Sequence, residues 1–280
     1  MYRNNSVRLG VYDSTNAFSA STDLAIESLY VLDWNKPLTN IGNGSSLVDA
    51  LNLAASRSRI PMVTIQPVSN PKLTKNPANT LAHIALGKYD SCTKSIADAM
   101  NEYGGAAMLR WGPEMDDPNN IGKLDWAVTP DNASDYVRAY QRRTTVYRSY
   151  TNNLSDQTFV WSPVGSAYSN VFFPGYSFVD YVGVSVFGWS VYQGPFGSSF
   201  ANQLGLIYDF VSGYGKPVIA EIGAEIADDQ AAWATAAKAA FASFPLLDAA
   251  IWYSGRDSFP WVESGPIPNW VTTPDVWNGS

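Results

Sequence analysis

The stretch AAMLRWGPEMDD, residues 106–117, decides how the chain is read. Its first half is a continuous apolar run with no strict alternation, the pattern of a parallel β-strand covered on both faces. Arg110 and Trp111 close the run, Gly112 and Pro113 turn the chain, and Glu114 follows. Runs of the same kind recur at 7–13, 28–34, 60–68, 158–164, 180–189, 216–224 and 247–255, which makes eight predicted strands. Helical patterns lie between them at 45–59, 89–104, 131–150, 200–215 and 228–244. A short helix is expected at 21–28 after the first strand, and none is visible between the fifth and sixth. Eight strands alternating with helices point to an α/β fold, a single (β/α)8 TIM barrel with residues 1–280 as one catalytic domain. An open doubly wound sheet is the alternative, and it lacks the Gly-rich loop expected after its first strand.

Composition narrows the function. The net charge of −7 and a pI near 4.7 argue against nucleic acid and anionic membranes as partners. A single cysteine, Cys92, excludes an intrachain disulfide, and a single histidine, His83, excludes a Cys/His zinc cluster. The run EMDDP lacks the spacing of a calcium loop, so neither metal nor cofactor is expected. No apolar run is long enough for a membrane helix, and the first ten residues carry no signal region. A place outside the cytoplasm would follow only if a leader had been removed. Ten tryptophans are many for this length: each either fills the core or offers a flat face to a sugar ring.

In a barrel of this kind chemistry gathers at the C-terminal ends of the strands. Those ends carry Asp13, Asp33, Trp34, Gln66, Arg110, Trp111, Glu114, Trp161, Trp189, Glu221, Trp252, Tyr253 and Arg256. Glu221 interrupts the apolar run VIAEIG, and a carboxylate inside a buried strand is costly unless paired or used. One reading is a salt bridge with Arg110. The other is a pair of carboxyls, Glu114 and Glu221, meeting at the barrel mouth for glycoside hydrolysis.

These residues carry a resemblance. The run RWGPEMD resembles the acid/base motif of clan A glycoside hydrolases, most of all glycoside hydrolase family 26. GKPVIAEIGA resembles that family's nucleophile strand, FVWSP its fifth strand, and FFPGYSFVDYVGVSVFGW the segment leading into its sixth. The resemblance covers roughly residues 60–255. It implies a retaining endo-β-glycosidase on a β-linked neutral polysaccharide such as mannan, glucan or bacterial exopolysaccharide. It assigns Glu114 as acid/base, Glu221 as nucleophile and Arg110 as a positioning residue. Trp111, Trp161, Trp189, Tyr192, Trp252 and Tyr253 complete the expected substrate-binding set. The protein is expected to act as a monomer whose partner is its polysaccharide, secreted or periplasmic if a leader has been removed. Pro113 stands where the family carries histidine, and Phe187 where it often carries tyrosine. Those departures keep open a barrel that binds a glycan without cleaving it, assisting polysaccharide synthesis or export.

Overall fold

The computed structural model describes residues 6–14, 16–41, 44–70, 72–73, 79–188, 199–224 and 230–254. Eight strands pair in chain order and β8 returns to β1, closing a parallel barrel with helices between its strands. The strands are β1 Arg8–Asp13, β2 Ile26–Val31, β3 Ile60–Ile65, β4 Ala107–Trp111, β5 Gln157–Trp161, β6 Tyr181–Gly188, β7 Val218–Ala224 and β8 Leu247–Ser254. Each falls within three residues of its predicted place. The helices are α1 Leu47–Ser56, α2 Thr80–Ala85, α3 Asp90–Tyr103, α4 Ala133–Tyr150, α5 Phe200–Ser212 and α6 Gln230–Ala240. Among the described residues no helix is long and apolar enough to cross a membrane, and no cluster of three or more His, Cys, Asp or Glu could hold a metal.

Two compact units make up the chain. In the first, comprising 1–28, 57–59 and 183–280, β7, β8, β1 and the start of β2 pair side by side. Gly10 is the tight point of this unit: a Cβ there would stand 2.9 Å from Ile26 Cβ and 3.0 Å from Ile251 Cγ1. The expected helix at 21–28 does not form. Glu27 instead opens β2, where it takes ion pairs from Arg57 at 3.1 Å and from the buried Arg59 at 2.9 Å. A charge locked into that pairing draws Glu27 into the strand, whatever its helix propensity.

The second unit, 29–56 and 60–182, holds β3, β4 and β5 under α1 to α4. The α3 helix stops at Gly104, whose φ of 68° is the left-handed cap expected of a helix-ending glycine. Between β5 and β6 the chain makes two single 3₁₀ turns, Ser169–Phe172 and Tyr176–Phe178, in place of a helix.

Candidate active site

The second unit presents Glu114. Gly112 has φ 52° and Glu114 φ 56°, so the chain turns twice through left-handed conformations just past β4. Glycine visits that region freely; a glutamate there carries a cost of about 1 kcal/mol or more and needs its surroundings to hold it. They do so from several sides. Gly112 N donates to Ile65 O at 3.0 Å, and Glu114 N to Ser162 O at 2.8 Å, tying the turn to the ends of β3 and β5. Tyr136 of α4 donates to the carbonyls of Trp111 and Gly112, and Trp126 Nε1 to that of Pro113 at 2.8 Å. The half-buried Glu114 side chain accepts from Asn120 Nδ2 at 3.4 Å.

The rest of this loop is clamped through its aspartates. Asp116, 6% exposed, accepts from Val164 N at 2.9 Å and from the hydroxyls of Ser166 and Ser169. Burial pushes its carboxyl above the ordinary range, against the opposing pull of those donors. Asp125 accepts from Ser69 N at 2.7 Å, holding the loop to the segment after β3. EMDDP is therefore a structural clamp. Neither Asp116 nor Asn120 was picked out by sequence reasoning, because Asp116 meets partners about fifty residues away and Asn120 lies in a run with no periodic signal.

Arg110 is buried beside this turn. Its Nε donates to Thr64 Oγ1 at 2.8 Å and its Nη2 to Tyr30 Oη at 2.8 Å, with the guanidinium 5.6 Å from the Tyr30 ring centre. Thr64 is its register partner on β3, so both side chains leave the sheet on one side. Trp111, the next residue, must leave on the other. It packs there against Tyr136 and Tyr140 of α4, with no exposed surface. Trp161, at the end of the neighbouring β5, pairs edge-on with Phe173 and is equally covered.

The first unit presents Glu221. It is 5% exposed, the fourth residue of β7, and in register with Ile251. Trp252 faces α6, meeting Trp233 at 6.0 Å with no exposed surface. Ile251 and Tyr253 therefore face the opposite way, the way Glu221 faces. Tyr253 is half-buried, stacks on Tyr12 of β1 at 4.8 Å, and meets Phe187 of β6 edge-on at 6.1 Å. So the expectation for Trp111, Trp161 and Trp252 as sugar platforms is corrected: alternation turns all three onto the helix side of their strands. Half-buried aromatic surface beside Glu221 comes from Tyr12, Phe187 and Tyr253. Trp189, Tyr192 and Arg256 lie outside the described residues.

Several other polar exits serve the fold. Asp13 accepts from the backbone of Ala17 and Phe18, and Asp33 from that of Asn35. Cys92 is buried, its thiol pushed up to about 11 by desolvation, which suits a packing residue rather than a nucleophile.

Solved structures share this architecture. A β-mannanase of glycoside hydrolase family 26 from Bacteroides ovatus superposes with a TM-score of 0.71 at 15% identity, over 99% of this chain and 88% of that one. The mannanase man26 of Bacillus subtilis gives 0.63 at 18% identity, over 90% and 81%. A glycoside hydrolase family 5 enzyme of Prevotella bryantii, solved with a xyloglucan tetradecasaccharide, gives 0.63 at 13%, over 95% and 86%. At these identities the likeness is one of fold. No family model and no curated protein matches the sequence.

Proposed function

We propose that this chain is a retaining endo-β-glycosidase acting on a β-linked neutral polysaccharide, with Glu114 as acid/base and Glu221 as nucleophile. The observation that carries the reading is the backbone of Glu114. A non-glycine residue in the left-handed region, pinned from β3, β5 and α4, is strain retained where a side chain must be aimed. Glu221 supports it as a nearly covered carboxylate in an apolar strand, on the side of the sheet that carries Ile251 and Tyr253.

The chemistry needs one carboxyl protonated and one ionised. Glu221 attacks the anomeric carbon while Glu114 gives its proton to the departing glycosidic oxygen. Water then attacks the glycosyl ester and passes its proton to Glu114. Thr64 and Tyr30 hold Arg110 at the exit of β4 as the positioning cation. The mannanases that share the fold make mannan the first substrate to try.

The test is release of reducing ends from a panel of mannan, glucan, xylan and bacterial exopolysaccharide. Release from at least one, abolished by Glu221→Gln, is the expected result. Glu114→Gln should spare activated aryl glycosides most, because their leaving groups need little protonation. An NMR time course should show the retained anomer first. Pro113 and Phe187 favour the second reading, a glycan-binding barrel without turnover. Affinity for a polysaccharide with no product from any would establish that reading instead.

A further inference from the structure

Asn120 has no exposed surface, and its position is fixed by its backbone. Its N–H donates to Asp117 O at 3.0 Å, while its carbonyl accepts from Lys123 N at 3.0 Å and Leu124 N at 2.9 Å. The side-chain amide is less constrained. Nδ2 donates to Glu114 Oε2 at 3.4 Å, and Oδ1 is buried with no hydrogen-bond partner. A buried amide oxygen in that condition is destabilising, since it has given up water for nothing in return. It also leaves the amide with no bond at Oδ1 to break if it turns over, and a half-turn puts the acceptor where the donor was.

Glu114 has matching needs. Its carboxylate only accepts, whereas its protonated form has a hydroxyl to donate. We propose that Asn120 is a positioning residue serving both protonation states of Glu114, giving Nδ2 to the carboxylate and Oδ1 to the acid. The inference rests on Glu114 being the acid/base. In the first half-reaction the Glu114 proton passes to the glycosidic oxygen as the C1–O bond breaks and the Glu221 ester forms. In the second, water loses a proton to Glu114 as its oxygen bonds to C1 and the ester bond breaks. A fixed donor would favour the carboxylate throughout and oppose the acid form; an amide free to turn holds the same carboxyl in place through both steps.

Two measurements test this. In protein carrying ¹⁵N-asparagine, the Asn120 side-chain amide should show a pH inflection that Glu114→Gln abolishes. Arg110 of β4, Asp116, Asp117, Lys123 and Asp125 of the loop, and Asp135, Tyr136, Arg138, Tyr140, Arg142, Arg143, Tyr147, Arg148 and Tyr150 of the covering helix also carry ionisable groups, and their titrations survive that substitution. In the kinetic measurement, Asn120→Leu and Asn120→Ala should lower kcat about tenfold or more on polysaccharide and by less on an activated aryl glycoside, leaving KM within about twofold. The absence of a Glu114-linked inflection, or unchanged turnover in Asn120→Leu, overturns the inference. Should both variants fail to fold, the amide titration decides, since it changes nothing at Asn120. If the linked inflection is present but the wild-type chain cleaves no substrate, the glycosidase reading falls, and the catalytic role of Asn120 with it, while the contact stands.

Discussion

At the scale of single residues, Glu114 combines a cost with a use. Its φ of 56° suits asparagine or glycine better than glutamate, and suits a β-branched side chain least. Glu114→Asn is therefore expected to melt at or above the wild-type temperature, and Glu114→Val to be about 1–3 kcal/mol less stable than wild type; both should lose turnover. Calorimetry beside a reducing-sugar assay checks this, and a less stable Glu114→Asn would remove the argument from strain. Asp116 makes a pH prediction. Its folded value is raised, desolvation outweighing the Ser169 and Val164 hydrogen bonds, so the fold favours the neutral acid. That contribution is complete below the unfolded carboxylate value and is lost as pH rises through the higher folded one. Asp116→Asn lacks the loss. Its melting temperature relative to wild type should climb as pH rises above the ordinary carboxylate range; a flat difference would mean the buried carboxyl is not destabilised by ionising.

At the scale of elements, strand register matters more than strand existence. Gly10 sits in register with both Ile26 and Ile251, and the added Cβ would meet Ile26 Cβ and its carbonyl, neither of which swings away. Gly10→Ala is expected to cost about 1–3 kcal/mol, or about 2–8 °C in Tm, readable by thermal melts. An unchanged Tm would show that β1 can shift between its neighbours. The same register places the tryptophans. Arg110 shares a side with Thr64, so Trp111 goes to α4; Glu221 shares a side with Ile251, so Trp252 goes to α6.

At the scale of the whole molecule, the net charge of −7 gives a neutral glycan nothing to pair with. Binding to a neutral polysaccharide should change by less than about twofold between roughly 0.05 and 0.5 M salt, since no counterions are released. Affinity electrophoresis at the two salts would show it, and a steep salt dependence would point to a charged ligand. The sequence by itself determined the eight strands and their order, because apolar runs are local signals, and it singled out Glu221 as a carboxylate inside one. It placed α1 and α3 to α6 from periodicity and caps, and it overran at residues 21–28, where the Glu27 ion pairs prevail. Only the tertiary structure decided which side of each strand faces the helices. In a run apolar on both faces, period-two alternation leaves no mark, so MLRW and AAIWYS do not say whether their tryptophans point inward. The clamp of Asp116 on Val164 and Ser169 was equally illegible, since a hydrogen bond across fifty residues of chain exists only once the strands between have folded.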